Sequence, residues 1–247
     1  MLSKFNLTGR YMPYKVLCLT FDDGPGKSVT EMPGPKSLLI SKYLFENSIE
    51  ATFFVTGKNA LQYPDVLSNI ISHNHIVANH TFSHPVMTRL FSTGEDFLKE
   101  IEDTELAILP YISGKNIYFR SPYGNWKPEM SVKFNANNKC TLNYIGPCYY
   151  DIDGSDWLYW QKQKTAKECA DNYLKLIKEK GSGIILMHDS SADDEQIKDN
   201  NLTYEALKIM IPALINDGYK FVNLPEALSL SNSFLNKLKY HFRKVFK

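Results

Sequence analysis

The chain has 247 residues, enough for one large domain or two small ones, and at 43% hydrophobic and 22% charged it has the composition of a chain with a real core. Its formal net charge of +1 gives no global attraction to nucleic acid. No apolar run is long enough to span a bilayer, and the first residues, "MLSKFNLTGRYMPYK", lack the apolar stretch and small-residue cleavage site of a secretion signal, so a cytoplasmic location is the expectation.

Short apolar runs alternate with helix-like stretches. Strands are expected at 16–21 ("VLCLTF"), 51–56, 75–79, 117–120, 183–188 ("GIILMH") and 219–224. Helices are expected at 35–47, 64–73, 95–109, 165–180 and 202–216. The 95–109 segment places Phe97, Ile101, Leu106 and Ile108 near a helical period. Thr165 with Glu168 three residues on is a capping-box pattern, and Gly181 is the matching stop. Strand–helix alternation implies parallel strands with helical crossovers. No repeat or low-complexity linker divides the chain, so the expected layout is an N-terminal extension (1–14), one main domain (15–230) and a C-terminal tail (231–247).

That tail is unusual in charge. Residues 234–247 hold Lys237, Lys239, Arg243, Lys244 and Lys247 without an acid, which leaves 23 basic against 27 acidic residues elsewhere. Leu235, Leu238, Phe242, Val245 and Phe246 fall along one helical face. A helix packed on the domain is favoured over one lying on an anionic membrane surface. Cys18, Cys140, Cys148 and Cys169 have no C-x-x-C spacing and read as free thiols.

Five stretches could carry chemistry. In "TFDDGP" a strand runs into Asp22 and Asp23, adjacent carboxylates that repel unless something neutralises one of them. In "ANHTFSHP", His80 and His84 are four apart, so on a helical turn both would face one ion. Alone, the pair reads as two surface histidines; beside a strand-end carboxylate it makes a three-ligand set with room for water. In "FRSPYGNW", Arg120 could orient a carboxylate by a bidentate contact, and the turn 121–124 offers backbone N–H groups to an oxyanion; alone it is an ordinary surface turn. "DIDGSDWLYW" holds Asp151, Asp153 and Asp156, but position 12 of a calcium loop would be Lys162, so calcium is rejected. An acid beside Trp157 suits a sugar site, although Trp157 could equally be core. In "IILMHD", His188 is either a general acid/base or a satisfied core residue. Asp22, Asp23, His80, Arg120 and His188 all follow predicted strands, and in parallel β/α architectures those ends converge on one mouth.

The ordered set "TFDDG", "HTFSH", "RSPYG", "DGSDW" and "LMH" resembles the polysaccharide deacetylases, the NodB-homology group or carbohydrate esterase family 4, over about Lys15 to Leu228. The resemblance implies an α/β fold, a distorted and incomplete (β/α) barrel of the NodB type. It implies that Asp23, His80 and His84 hold a divalent metal, zinc first and cobalt or nickel as alternatives. Asp22 would be the base that activates a metal-bound water, Arg120 its orienter, the Tyr123 N–H an oxyanion donor, and His188 the acid, tuned by Asp156. Trp157, Leu186, Pro122 and Tyr123 would line the substrate pocket. The implied enzyme is a monomeric carbohydrate N-deacetylase, removing acetyl groups from GlcNAc-type residues of a poly- or oligosaccharide. Acetylxylan-type O-deacetylation and a non-catalytic glycan-binding protein of the same fold are the alternatives. A phosphatase D-x-D-G-T reading fails, because there the aspartates are two apart.

Overall fold

The computed structural model describes residues 1–27 and 33–233. The basic tail at 234–247 and positions 28–32, within the glycine- and proline-rich sequence "GKSVTEMPGPK" (26–36), lie outside the described residues.

Eight strands occur among the described residues: β1 (Val16–Asp22), β2 (Thr52–Val55), β3 (Ile76–Asn79), β4 (Asn116–Tyr118), β5 (Asn143–Ile145), β6 (Ile152–Asp153), β7 (Gly183–His188) and β8 (Lys220–Phe221). The helices are α1 (Ser37–Glu46), α2 (Gly57–Gln62), α3 (Pro64–Ser72), α4 (Met87–Thr93), α5 (Phe97–Ile108), α6 (Pro128–Asn137), α7 (Asp156–Gln161), α8 (Ala166–Lys180), α9 (Glu195–Asp199) and α10 (Thr203–Asn216). Residues 224–233 are also helical.

Every strand pair is parallel. The main sheet runs β3-β2-β1-β7-β6, with β8 paired to the start of β1. β4 and β5 form a second ladder, joined to the first by a single bridge between Asn79 and Phe119. Among the described residues no pairing joins β5 to β6, so the barrel they form is incomplete. The N-terminal residues lie along the 146–151 connection at that break. Leu7 bridges Cys148, and the Gly9 N–H donates to Asp151 Oδ2 at 2.8 Å.

Two-residue alternation divides each strand between two environments. Leu17, Leu19 and Phe21 of β1 join the larger core beneath the helices, with Phe53, Val55, Val77, Ile185 and Met187. The intervening Cys18 faces the barrel interior with Phe54, Ala78 and Ile184, closed from below by Met12, Leu224 and Leu228. Further along the same inner face come Thr20 and Asp22, so the interior is apolar at its base and polar at its mouth. That gradient positions the site.

Local expectations hold where the pattern was long. Thr165 caps α8 with its reciprocal Glu168 contact, and Gly181 stops it in the left-handed region at φ 80°. All four cysteines are free thiols. In α5, however, the buried stripe is Phe97, Leu98, Ile101, Thr104, Glu105 and Ile108, and Leu106 is 70% exposed. A register of 97, 101, 104 and 108 leaves 106 on the opposite face. The expected strand at 219–224 shrinks to β8 because helix begins at 224.

Candidate active site

Asp22 ends β1 with its carboxylate in the barrel mouth. Alternation on an extended chain would send Asp23 to the other face. Asp23 instead adopts φ 73°, which turns its carboxylate back beside Asp22. The two neighbours therefore share one pocket rather than opposite sides, a correction to the extended-chain expectation. His80 Nε2 lies 3.6 Å from Asp22 Oδ2 and 3.5 Å from Asp23 Oδ1, and His84 Nε2 is 3.1 Å from Asp23 Oδ1. Gly24 follows where no side chain fits: a Cβ there would run into the buried Asp189 carboxylate.

The two histidines do meet, but not on a helical turn. Residues 80–86 are loop, and α4 starts only at Met87. Thr81 and His84 take φ 71° and 61°, and this folded loop brings the rings to 5.1 Å between centroids. Its backbone is held from several sides. The Gly57 and Lys58 N–H groups at the start of α2 donate to Thr81 O and Phe82 O, both at 3.0 Å. Glu100 Oε2 on α5 accepts from the Phe82 and Ser83 N–H groups at 2.9 and 2.8 Å. Asn79 Oδ1 accepts from the Thr81 N–H at 2.9 Å.

Arg120 is 1% exposed, and its Nη1 donates to Asp22 Oδ1 at 2.7 Å. The contact is single rather than bidentate, because Nη1 also reaches Thr20 Oγ1 at 2.9 Å and Nε reaches Cys148 O at 3.2 Å. The guanidinium stacks 4.1 Å from the Phe54 ring centroid. Opposite, the Asp156 carboxylate is fully buried. Its Oδ1 meets His188 Nδ1 at 2.7 Å, and its Oδ2 accepts from the His188 N–H at 2.7 Å and from Thr203 Oγ1 at 3.2 Å.

The charges are strongly coupled. Burial alone would raise Asp23, but His84, His80 and His188 hold it well below the usual carboxylate range. Burial would likewise lower His84, yet Asp23 and Asp193 hold it up to about 10. His188 is also held up to about 10, against burial, by Asp156 first and then Asp23 and Asp22.

Asp22, Asp23, His80, His84, Arg120 and His188 line one cavity of about 460 Å³, with Tyr123, Tyr150, Asp153, Trp157 and Leu186 also in its wall. Pro122 is buried at the start of its turn and is not part of that wall, which leaves Tyr123 to face the pocket. The turn's hydrogen bonds come from the Gly124 N–H to Ser121 O and from the Asn125 N–H to Pro122 O, both at 3.1 Å; the Tyr123 N–H takes no part in them. The three acids weighed for calcium diverge. Asp151 accepts from the Gly9 and Ile184 N–H groups, Asp153 from the Ser155 N–H, and Asp156 serves His188.

The set Asp23, His80 and His84 fits a divalent cation. One ligand atom from each lies within 4.8 Å of the others, and all three residues are buried. Asp23 Oδ1 is buried, and among the described residues no hydrogen bond of good geometry reaches it; only the His84 and His80 ring nitrogens approach, at 3.1 and 3.5 Å. Buried carboxylate oxygens are costly unless satisfied, and a shared cation would satisfy this one.

Residues 9–145 match the model of the polysaccharide deacetylase family. The chain belongs to the polysaccharide deacetylase family. A chitooligosaccharide deacetylase of Azorhizobium caulinodans is 31% identical over 214 residues, 84% of this chain and 91% of that protein. A peptidoglycan-N-acetylglucosamine deacetylase of Bacillus cereus is 29% identical over 228 residues, 92% of this chain and 73% of that protein. Among solved structures, the peptidoglycan deacetylase PdaC of Bacillus subtilis superposes with a TM-score of 0.63 at 26% identity, covering 94% of this chain and 97% of that one. The incomplete parallel barrel is therefore the NodB-type α/β fold of the family.

The motifs did not point to several residues that support the site. Asp193 contacts His84, Glu100 holds the histidine loop, and Thr203 braces Asp156. Each acts on a partner at least 17 positions away in sequence. Only Asp193 lies near a motif, just beyond "LMHD".

Proposed function

We propose that this member of the polysaccharide deacetylase family is a metal-dependent carbohydrate N-deacetylase that hydrolyses the acetamido group of GlcNAc-type residues and releases acetate. The observation that carries this reading is the placement, in one cavity, of an arginine-held carboxylate, a three-residue cation set and an aspartate-held histidine. A divalent cation at Asp23, His80 and His84, zinc first, would polarise the acetyl carbonyl and activate water.

The chain's own groups account for the rest. Arg120 keeps Asp22 aimed into the mouth, where Asp22 accepts the proton of the attacking water. The Tyr123 N–H would donate to the oxygen that gains charge during attack, an interaction typically worth about 3 kcal/mol. Asp156 holds the proton on His188 Nδ1, so Nε2 faces the cavity and delivers a proton to the departing amine. Trp157, 37% exposed, and buried Leu186 give the pocket an apolar wall suited to a sugar face and an acetyl methyl. The relatives named for chitooligosaccharide and for peptidoglycan N-acetylglucosamine support a GlcNAc-type substrate. A non-catalytic glycan binder would not need base, acid and cation set all in place.

Acetate release tests the proposal, measured on N-acetylglucosamine oligomers, peptidoglycan and acetylxylan with added zinc or cobalt and with a chelator. The expected result is chelator-sensitive release from the GlcNAc substrates, abolished in Asp22→Asn while bound metal is retained. Release from acetylxylan alone would move the reading to O-deacetylation. Tight binding of a GlcNAc oligomer without release would make the protein a glycan binder.

A further inference from the structure

Asp193 is absent from the motif set, yet it touches the cation site. Its Oδ2 lies 2.6 Å from His84 Nδ1 and also accepts a hydrogen bond from the Tyr123 hydroxyl. One residue earlier, the Ala192 N–H donates to Asp23 Oδ2 at 3.3 Å. One residue later, Asp194 caps α9, its Oδ1 accepting from the Ile197 N–H at 3.1 Å. The 192–194 segment is thus anchored to a short helix on one side and clasps two members of the cation set on the other.

We propose that Asp193 is a positioning residue for His84: it accepts the Nδ1 proton, fixes the ring's tautomer and leaves the Nε2 lone pair directed at the cation. This rests on the metal reading above. A neutral imidazole has one donor and one acceptor nitrogen, and the partner of the first decides the role of the second. His80 meets the same need differently, with its Nδ1 2.9 Å from the backbone Arg120 O. A backbone carbonyl cannot be removed by substitution, whereas the carboxylate at His84 can. Charge matters too, because a carboxylate on Nδ1 makes the ring a stronger donor at Nε2 than a carbonyl does. The Tyr123 hydroxyl bond on the same oxygen fixes the direction of that carboxylate and ties the oxyanion turn to the histidine.

Zinc affinity of the full chain, read by competition with a chromophoric chelator, tests this without reference to turnover. Asp193→Ala should weaken zinc binding by about 10–100-fold. Asp193→Asn should lose less, since its amide oxygen can still accept the Nδ1 proton. The cobalt-loaded protein should show an altered visible absorption spectrum in Asp193→Ala and a near-native one in Asp193→Asn. In a His84→Ala background, Asp193→Ala should add no further loss, because the residue acts through that ring. Equal zinc affinity in wild type and Asp193→Ala, or additive losses in the double variant, would overturn the proposal. If wild type binds no zinc, the metal reading fails and Asp193 loses this role with it. If Asp193→Ala does not fold, the Asn variant carries the same comparison, and an Asn zinc affinity equal to wild type would overturn the proposal.

Discussion

At the scale of single residues, the site works by giving neighbouring groups opposite charge states. Asp23 is held ionised by His84 and His80, while His188 is held protonated by Asp156. In the proposed role of general acid, His188, held up to about 10, would keep its proton across the neutral range. The share that Asp23 contributes to this would be lost once a cation takes up its charge, and Asp156, already the largest support, would carry more of it. Asp156→Asn removes that support and leaves burial, which favours the neutral ring. The alkaline limb of the kcat–pH profile should then move to lower pH by about 1–3 pH units. An unmoved limb would mean that the limb reports some other group. That Asp22, Asp23, His80, Arg120 and His188 meet in one pocket was legible in the sequence, because parallel strands bring their C-terminal ends together and each group followed a readable strand. Asp23 was legible as a site residue but not in its direction, since a left-handed φ at a non-glycine position has no sequence mark. Asp193, Glu100 and Thr203 were not legible: their partners are set by the packing of distant elements, which local pattern does not encode.

At the scale of elements, length separates what could be read from what could not. The 15 residues of α8 carry a cap and a stop, both visible in the sequence, and between them a periodic buried face of Cys169, Ala170, Tyr173 and Ile177 that the structure adds. The three residues of β5 and the two of β6 are too short to show alternation. Helix α6 has only Met130, Ser131 and Phe134 buried, so its polar sequence gave no stripe to detect. The α8 cap matters beyond its own helix. Tyr173 on α8 donates through its hydroxyl to Leu186 O at 2.7 Å, on the strand that delivers His188. Asn172 on the same helix donates to Gly154 O at 3.0 Å, just before Asp156. Thr165→Ala removes the side-chain acceptor for the Glu168 N–H and half of a reciprocal pair. The expected cost is about 1 kcal/mol in urea unfolding, with the midpoint lowered and the slope unchanged. A changed slope would show instead that the cap alters how cooperatively the chain unfolds.

At the scale of the whole molecule, the cation set couples stability to both metal and pH. Asp22, Asp23, His80 and His84 are all buried, so the cluster exists only in the folded chain. A cation that binds there and not to the unfolded chain stabilises by about 2.7 kcal/mol at a hundredfold excess over Kd. For a chain of this size that corresponds to a rise in Tm of about 5–10 °C. Without a cation, His84 titrates at about 10 rather than at its ordinary 6.5. Its folded value is raised, so its contribution to stability is complete below the ordinary value and is lost as pH climbs from there towards 10. A zinc ligand must instead present a bare Nε2, so binding competes with protons and strengthens over the same interval. Both effects have one sign: the zinc-induced rise in Tm should be larger at pH 8 than at pH 6. Thermal scans with zinc and with chelator at the two pH values read this directly, and His80→Ala should abolish the rise at both. A rise that persists in His80→Ala would place the stabilising zinc away from Asp23, His80 and His84.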